Sequence, residues 1–356
     1  MIDLYTLDRP GLDALLAGWG QRRFRAKQLW SWMYDKGAAD FDEMTDLPAG
    51  LRERLAREAT LGSLQLAEEQ HSADGTIKRV WRLPDGQLIE SVLMPYRDGR
   101  RTACISSQAG CAMACAFCAT GQMGFARQLS AAEIVEQALR FSGELQARGE
   151  RLSNVVLMGM GEPFHNYDAV IEAVRRLNTD LGIGARHITV STVGLVPQIR
   201  RFAEEGLQVT LAISLHAATD DARSALMPIN RRWPLDELIA ACRDYVDRTH
   251  RRVTFEWALI QGVNDDVATA ERLGRLLQGL HCHVNLIPLN PTAGYDGGPS
   301  GEPAVAGFIE ALGRFGVPAT ARVRRGIDID AGCGQLKAKV LRRERAQSGD
   351  GSASYS

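Results

Sequence analysis

The sequence predicts an α/β fold in which parallel strands are covered by helices, with a small α+β module in front of it. From about residue 100, apolar strand-like segments alternate with helical segments, a pattern typical of a barrel or of a doubly wound sheet. The first hundred residues instead show helical spacing followed by hairpin-like strands. The length of 356 residues fits about two domains.

Composition excludes several classes of protein. Apolar residues make up 45% and charged residues 24% of the chain, ordinary values that exclude a disordered or fibrous protein. The net charge is −1, so any nucleic-acid binding must come from local basic patches. The first residues lack the basic start and apolar run of a secretory signal. The uncharged stretch 102–126 could cross a bilayer by length, but its Ser, Thr, Gln and Gly residues indicate a buried site instead, and we expect no membrane contact.

The N-terminal module is predicted to span residues 1–98. Helical spacing covers 8–19, 22–34 and 48–60, and two or three strands follow, with turns at Asp74-Gly75 and Pro84-Asp85-Gly86. The second helix interleaves Arg and Lys with aromatic residues. This pattern is typical of a solvated basic face or of an RNA contact.

The catalytic core is predicted to span residues 99–345. Its strands are expected at 102–106, 154–158, 187–191, 208–214, 253–259, 283–287 and 319–323. Its helices are expected at 130–147, 167–180, 195–205, 235–249, 266–279 and 303–315. The active site of such a fold forms at the carboxyl ends of the strands. Residues 346–356 end in a Gly/Ser-rich run and are predicted to be a disordered tail.

Four of the seven cysteines cluster, which indicates metal ligands or reactive thiols in a reducing, cytoplasmic location. Cys111, Cys115 and Cys118 form a C-x3-C-x2-C arrangement directly after a predicted strand. Structural zinc sites and iron–sulfur cubes usually take four protein ligands. Three thiolates on a [4Fe–4S] cluster leave one iron open to bind a small molecule.

This spacing resembles that of the radical S-adenosylmethionine (SAM) enzymes, which chelate SAM at such an open iron. Further motifs in unchanged order resemble the RlmN-type RNA methyltransferases from about residue 20 to 345: CISSQAGC, ATGQMGF, MGMGEP, VSTVG, AISLHA, NLIPLNP and GIDIDAGCGQL. The resemblance implies a partial (β/α)6-type radical SAM barrel, one [4Fe–4S] cluster and two SAM molecules per turnover. It also implies methylation of carbon 2 of adenosine in 23S rRNA and in tRNA.

The resemblance assigns three catalytic residues. Cys333 matches the cysteine that first accepts a methyl group and then carries it to the base; Gly332 and Gly334 beside it allow a mobile loop. Cys104 matches the cysteine that resolves the protein–RNA adduct by forming a disulfide, although a small apolar strand residue would look the same. Glu90 matches the proton acceptor, although a strand can also turn such a residue to water.

The resemblance assigns SAM contacts to residues that follow predicted strands. These residues are Gly161, Glu162, Ser191, Ser214, Leu215, His216 and Asn290. Taken singly, a Ser or Asn at a strand end is more often a helix cap, and His216 could be purely structural. Cys242 and Cys282 match no family function. Basic residues near Cys333 are candidate RNA contacts or a solvated face: Arg322, Arg324, Arg325, Arg342, Arg343 and Arg345.

The expected partners are 23S rRNA, tRNA and a one-electron donor of the flavodoxin type. The protein itself is expected to be a monomer. One alternative is the sister activity that methylates carbon 8 of adenosine through the same cysteines; the N-terminal helices and the GQMGF motif favour carbon 2. A second is a radical SAM activase that makes a radical on a partner protein, for which Cys333 would be dispensable. A third is a non-catalytic RNA-binding factor, for which Glu162 would be dispensable.

Overall fold

The structure is a computed structural model that describes residues 1–290, 292, 294–322 and 325–329. Within these residues the strands are β1 (Ile2–Asp3), β2 (Ala59–Thr60), β3 (Gln65–His71), β4 (Ile77–Arg82), β5 (Leu88–Pro95), β6 (Arg101–Cys104), β7 (Gln108–Gly110), β8 (Phe125–Gln128), β9 (Asn154–Leu157), β10 (Ile188–Thr192), β11 (Thr210–Ser214), β12 (Val253–Leu259), β13 (Cys282–Pro288) and β14 (Ala319–Ala321). Their order along the chain alternates with helices after β8, as the sequence predicts.

The α-helices of the described residues are α1 (Arg9–Gly18), α2 (Phe24–Tyr34), α3 (Ala49–Glu58), α4 (Ala119–Gln122), α5 (Ala131–Ala147), α6 (Tyr167–Thr179), α7 (Val196–Phe202), α8 (Asp220–Leu226), α9 (Leu235–Thr249), α10 (Val267–Leu277) and α11 (Glu302–Gly313). Several begin at a side-chain cap. Ser130 and Glu133 form a complete capping box at the start of α5, and Asp266 caps α10. None of these helices is both long and apolar enough to cross a lipid bilayer.

One ten-stranded mixed sheet organises the molecule, in the order β14-β13-β12-β11-β10-β9-β6-β5-β4-β3. The strands from β6 to β14 in this order are parallel to their neighbours, and β5, β4 and β3 continue the sheet in antiparallel fashion beyond β6. The predicted α/β fold with parallel strands is therefore confirmed. Strands β3, β4 and β5 of the N-terminal module belong to the same sheet as the core, whereas β1 and β2 pair with each other in a separate two-stranded sheet; a domain boundary near residue 98 stays a prediction.

The two faces of the parallel strands differ in chemistry. One face carries fully buried apolar side chains such as Val155, Leu157 and Leu211, which pack under the helices. The other face is largely polar, and register aligns Ser214 with Glu256 and Glu256 with Asn285 on neighbouring strands. Because strand residues alternate between faces, each strand supplies both the core and a polar inner surface.

A short antiparallel hairpin, β7–β8, surrounds the cysteine motif, and the sequence analysis did not predict it. Its strands hold three and four residues, too short for a clear alternation of apolar and polar positions. The hairpin closes tightly, because a Cβ on Gly110 would lie 2.0 Å from the carbonyl oxygen of Gly124. Helix α8 was also missed, since its seven residues are mostly polar.

Candidate active site

A cavity of about 380 Å³ opens at the carboxyl ends of the parallel strands. Strand ends, the loops that follow them and the cysteine loop form its wall. It brings together ten residues predicted from the sequence: Cys104, Cys111, Cys115, Cys118, Gly161, Glu162, Ser191, Ser214, His216 and Asn290. Residues separated by up to about half of the chain therefore face one cavity, as expected for the strand ends of this fold class.

The cysteine loop is held in place by backbone hydrogen bonds at both ends. The Cys111 amide donates to the Gly124 carbonyl at 2.8 Å, and the Ala116 amide donates to the Leu226 carbonyl at 2.9 Å. Cys111 and Cys115 are buried, whereas Cys118, at the start of α4, is partly exposed. All three thiols are therefore presented to the cavity from one short loop.

Burial strongly favours the neutral form of two of these thiols, those of Cys111 and Cys115. It raises the pKa of Cys111 to about 12 and that of Cys115 further still. Thiolates become favourable here only when a metal takes up their charge, so metal binding would release protons. Among the described residues, no three His, Cys, Asp or Glu side chains lie close enough together to hold a single metal ion. A [4Fe–4S] cluster binds each thiolate to a different iron, so three cysteines around one cavity fit a cluster better than a lone ion.

Glu162 is a buried carboxylate fixed by backbone donors. The Phe164 amide donates to its Oε1 at 2.9 Å, and the Val193 amide donates to its Oε2 at 2.8 Å. Burial raises its pKa to about 7 despite these hydrogen bonds. Gly161 before it has φ +102°, and a Cβ there would lie 2.5 Å from Cβ of Gln108. The turn thus needs glycine and delivers a rigid carboxylate that can accept hydrogen bonds from an ammonium group.

His216 is a neutral, buried side chain in the cavity wall. Its Nδ1 accepts a hydrogen bond from the Ala258 amide at 2.8 Å, and its ring lies edge-on to Phe117. Burial lowers its pKa to about 3. The side chain of the preceding Leu215 lies in the core and does not line the cavity. Ser191 and Ser214 are partly buried at their strand ends, and Asn290 is exposed beyond β13.

Cys104 lies on β6, opposite Val92 of β5 and Val156 of β9. Burial raises its pKa to about 11. Glu90, two residues before Val92, is only 4% exposed, and its Oε2 lies 3.5 Å from Nζ of Lys78, which is fully buried. The alternative in which β5 turns Glu90 to water is therefore wrong. Glu90 does not line the cavity itself; it lies behind the wall, beside Cys104.

Several of the residues predicted from the sequence lie near the C-terminus. Cys333, Arg324 and the basic run 342–345 lie outside the described residues, as does the predicted tail 346–356. Arg322 lines the cavity, with Nη1 4.0 Å from Oε2 of Glu256. Arg325 also lines the cavity, and its guanidinium stacks 4.4 Å from the ring centre of Tyr96. Both arginines thus add basic charge to the cavity wall.

Four polar residues at or behind the cavity wall were not predicted from the sequence: Lys78, Arg223, Glu256 and Asn285. Arg223 is fully buried and donates to the carbonyls of Val193 at 2.6 Å and of Ser214 and Leu215 at 3.2 Å, so it ties together two loops of the cavity wall. Glu256 is 4% exposed and lines the cavity, and its Oε1 accepts from Asn285 at 3.0 Å. A polar residue within the otherwise apolar run of β12 was the available signal for Glu256. For Lys78 and Arg223 only the tertiary contacts reveal a role.

Two family models match the chain. The Radical SAM superfamily model matches residues 105–273, and a ribosomal RNA large subunit methyltransferase N-terminal domain model matches residues 2–61. The first contains the cysteine loop and the strands from β9 to β12, and the second contains α1 to α3. The matched segments therefore include both the cavity wall and the N-terminal helices.

Curated relatives and a solved structure match over nearly the whole chain. The chain is 55% identical to dual-specificity RNA methyltransferase RlmN 1 of Myxococcus xanthus, covering 96% of each protein. It is 47% identical to the probable dual-specificity RNA methyltransferase RlmN of Geobacillus thermodenitrificans, covering 96% of this chain and 94% of the relative. The crystal structure of a radical SAM methyltransferase from Sphaerobacter thermophilus is 51% identical, with a TM-score of 0.90 over 94% of this chain and 99% of that one.

The fold, the three-cysteine loop and the full-length matches agree with one another. The sheet with its cavity at the strand ends is a radical SAM fold, the predicted fold class. The chain belongs to the RlmN family of radical SAM RNA methyltransferases.

Proposed function

We propose that this enzyme methylates carbon 2 of adenosine in 23S rRNA and in tRNA. The observation that carries the proposal is the single cavity that joins the three-cysteine loop, the buried Glu162 carboxylate and the Cys104 thiol. The names of the relatives, which describe dual-specificity RNA methyltransferases, support more than one class of RNA substrate.

Cys111, Cys115 and Cys118 would hold the cluster, and the surrounding wall would hold SAM. When bound, the cluster would supply the electron that splits SAM into methionine and a 5′-deoxyadenosyl radical. Glu162, held by two backbone amides, is placed to accept hydrogen bonds from the SAM ammonium group. The other proposed SAM contacts are Gly161, Ser191, Ser214, His216 and Asn290; Leu215, whose side chain lies in the core, is left out. The neutral His216 adds no positive charge beside the sulfonium group.

Cys333 is proposed to carry the methyl group. Carbon 2 of adenine is electron-poor and cannot attack a SAM methyl group as a nucleophile, so a direct polar transfer is unfavourable. Cys333 instead takes a methyl group from one SAM, and a second SAM serves to remove a hydrogen atom from it. The methylene carbon then bonds to carbon 2 and leaves a Cys333–RNA adduct.

Glu90 and Cys104 are proposed to resolve the adduct. Glu90 accepts the proton that leaves carbon 2, and the unpaired electron of the adduct leaves to a one-electron acceptor, a role that the bound cluster would fill. Sγ of Cys104 then attacks Sγ of Cys333: an S–S bond forms, the S–C bond breaks, and its electron pair stays on the carbon, which takes up a proton to become the methyl group. Cys104 is a free thiol in the structure and lines the cavity, so it is available for this attack. The disulfide product must be reduced by a thiol reductant before the next turnover.

Further parts of the proposal concern partners and location. A flavodoxin-type donor supplies the electrons, the enzyme acts as a monomer, and the N-terminal helices with the Arg322–Arg325 rim contact RNA phosphates. A stack would hide carbon 2, so the target base must be unstacked and inserted into the cavity. A cytoplasmic location keeps the cysteines reduced.

The test is methylation by the reconstituted holoenzyme. The cluster is rebuilt anaerobically, and the enzyme reacts with SAM, reductant and unmodified 23S rRNA or tRNA; nucleosides are then identified by mass spectrometry against standards. We expect 2-methyladenosine from both RNAs. Cys333→Ala should abolish it, and Cys104→Ala should trap the protein–RNA adduct. Cys242→Ala is the matched control, because Cys242 is a fully buried cysteine away from the cavity.

Each other outcome points to a different conclusion. An 8-methyladenosine product would assign the sister activity, which uses the same cysteines. Methylation that survives in Cys333→Ala would overturn the proposed methyl carrier. Deoxyadenosine without any methylated base, on correctly folded RNA, would show that the cluster works and that the proposed substrate is wrong. Product from rRNA alone would remove tRNA from the proposal.

A further inference from the structure

The turn between β3 and β4 makes contact with a segment that lies more than 250 positions later in the chain. The turn spans residues 72–76 and is closed by its own hydrogen bonds, from the Ser72 amide to the Thr76 carbonyl at 2.8 Å and from the Gly75 amide to the Ser72 carbonyl at 3.0 Å. The later segment, residues 325–329, leads directly to the proposed methyl carrier. The N-terminal strands therefore meet the C-terminal part of the chain at this point.

Three hydrogen bonds join the two segments. The Ser72 hydroxyl donates to Oδ1 of Asp328 at 2.6 Å, and the Ala73 amide donates to its Oδ2 at 2.9 Å. In the other direction, the Gly326 amide donates to Oδ2 of Asp74 at 3.0 Å. Each segment thus supplies a carboxylate to donors on the other. We call Ser72, Asp74 and Asp328 the clasp.

The clasp carboxylates are well suited to stay charged. The Ser72 hydroxyl and the Ala73 amide lower the pKa of Asp328. Partial burial raises the pKa of Asp74, but hydrogen bonds from Thr76, Gly326 and Ser72 outweigh this and lower it to about 2. Hydrogen bonds to ionised acceptors are about twice as strong as neutral ones. The clasp is therefore intact throughout the neutral pH range.

Chain geometry makes the clasp relevant to Cys333. Cys333 is four residues beyond Ile329, and an extended chain advances at most about 3.6 Å per residue, so its Cα stays within about 14 Å of the Cα of Ile329. The stacking of Arg325 on Tyr96 holds the first residue of the same segment against the end of β5. Both contacts place the segment beside the strands that carry Glu90 and Cys104.

We propose that Ser72, Asp74 and Asp328 are positioning residues that set where Cys333 works, by clasping its segment to the β3–β4 turn. This inference rests on the proposed role of Cys333. It gives the antiparallel strands a function in catalysis, because they provide the anchor for the methyl-carrying segment. None of the three residues lines the cavity, so their effect passes through the position of the segment.

The test measures how tightly SAM cleavage is coupled to methylation of the RNA, as well as the rate of methylation. The holoenzymes Ser72→Ala, Asp328→Asn, Asp74→Asn and the double variant Ser72→Ala/Asp328→Asn react with SAM, reductant and RNA. Deoxyadenosine and methylated adenosine are counted in each reaction. We expect iron content and SAM binding to match the parent protein, because the cavity wall is unchanged. The ratio of deoxyadenosine to methylated adenosine should rise about tenfold, the equivalent of about 1.4 kcal/mol.

Two comparisons separate positioning from a general structural effect. Ser72 and Asp328 form one contact, so the double variant should be no worse than Asp328→Asn alone. Asp98→Asn is the matched control, since Asp98 is an exposed turn carboxylate that also accepts a backbone and a side-chain hydrogen bond, both within its own turn. It should leave the ratio unchanged. Thermal unfolding of Ser72→Ala, the mildest change, shows whether the fold is intact.

The outcomes distinguish the two proposals. An unchanged ratio in all clasp variants, with Cys333→Ala inactive, would overturn the clasp and leave the proposed function in place. Equal rises in the clasp variants and in Asp98→Asn would also overturn it. Methylation that survives in Cys333→Ala would overturn the proposed function and the clasp together.

Discussion

Lys78→Met removes one half of an ion pair that lies inside the sheet beside Cys104. Nζ of Lys78 lies 3.5 Å from Oε2 of Glu90, with side-chain exposures of 0% and 4%. Met keeps most of the length of the lysine chain, so the main loss is the charge and not packing. The remaining Glu90 carboxylate would then be buried beside an apolar group, which is costly.

The size of the effect can be worked out in two ways. Coulomb's law at 3.5 Å and an effective dielectric constant of about 20 gives an attraction of about 5 kcal/mol. Removing one partner of a buried ion pair typically costs about 3–5 kcal/mol. We therefore expect Lys78→Met to lower the free energy of unfolding by about 3–5 kcal/mol. This is a large part of the stability of a typical domain.

The assay is urea unfolding of cluster-free protein under anaerobic, reducing conditions. Lys78 and Glu90 both make other contacts, so the pair is isolated by a double-mutant cycle of Lys78→Met, Glu90→Gln and the double variant. We expect the double variant to lose several kcal/mol less than the sum of the single losses. Arg54→Met is the matched control: its pair with Glu58 has side-chain exposures of 36% and 34%, so solvent screens the attraction and the loss should be much smaller. Additive losses within about 0.5 kcal/mol would refute the pairing argument.

Three other predictions follow from the cavity. Cys115→Ala should lose the iron content and visible absorbance of the reconstituted cluster, whereas Cys242→Ala should keep both; equal iron content in the two variants would contradict the cluster assignment. The pKa of His216 is lowered from 6.5 to about 3, so in cluster-free protein the free energy of unfolding falls as the pH drops below 6.5. The pKa of Glu162 is raised from 4.5 to about 7, so the free energy of unfolding also falls as the pH rises above 4.5. Between pH 4.5 and 6.5, His216→Asn should therefore reduce the slope of unfolding free energy against pH by up to about 1.4 kcal/mol per pH unit, and Glu162→Gln should increase it by a similar amount. Denaturant titrations at several pH values measure this slope, and unchanged slopes in both variants would contradict the prediction. Gly161→Ala forces a Cβ to 2.5 Å from the neighbouring loop at φ +102°, so equilibrium dialysis should show at least tenfold weaker SAM binding, and parental affinity would contradict the close approach.

Local patterns account for the parts of the fold that were predicted well. The predicted strand at 253–259 and helix at 235–249 match β12 and α9 at both ends. Their apolar spacing and length are properties of a single segment, so no long-range information is needed. The hairpin β7–β8 was missed because each of its strands is too short to show such a pattern.

In the candidate site, too, local features could be predicted from the sequence, whereas features that depend on distant contacts could not. The spacing of Cys111, Cys115 and Cys118 is a local feature, and it was sufficient to predict a metal-binding loop. Glu90 could also be singled out, but whether it faced water or the interior depended on Lys78 in a neighbouring strand. Arg223 gave no signal, because its role lies in carbonyls contributed by distant loops.

The sequence by itself determined the alternation of strands and helices, the cysteine loop and the family of the chain, because all of these are written in short segments and their order. The tertiary structure alone decided which face of each strand turns toward the cavity, how Ser214, Glu256 and Asn285 align, and that Asp328 meets Ser72, from which it is separated by 256 positions. The physical reason is register: a shift of one residue reverses every side chain of a strand, and register is set by pairing between segments far apart in sequence.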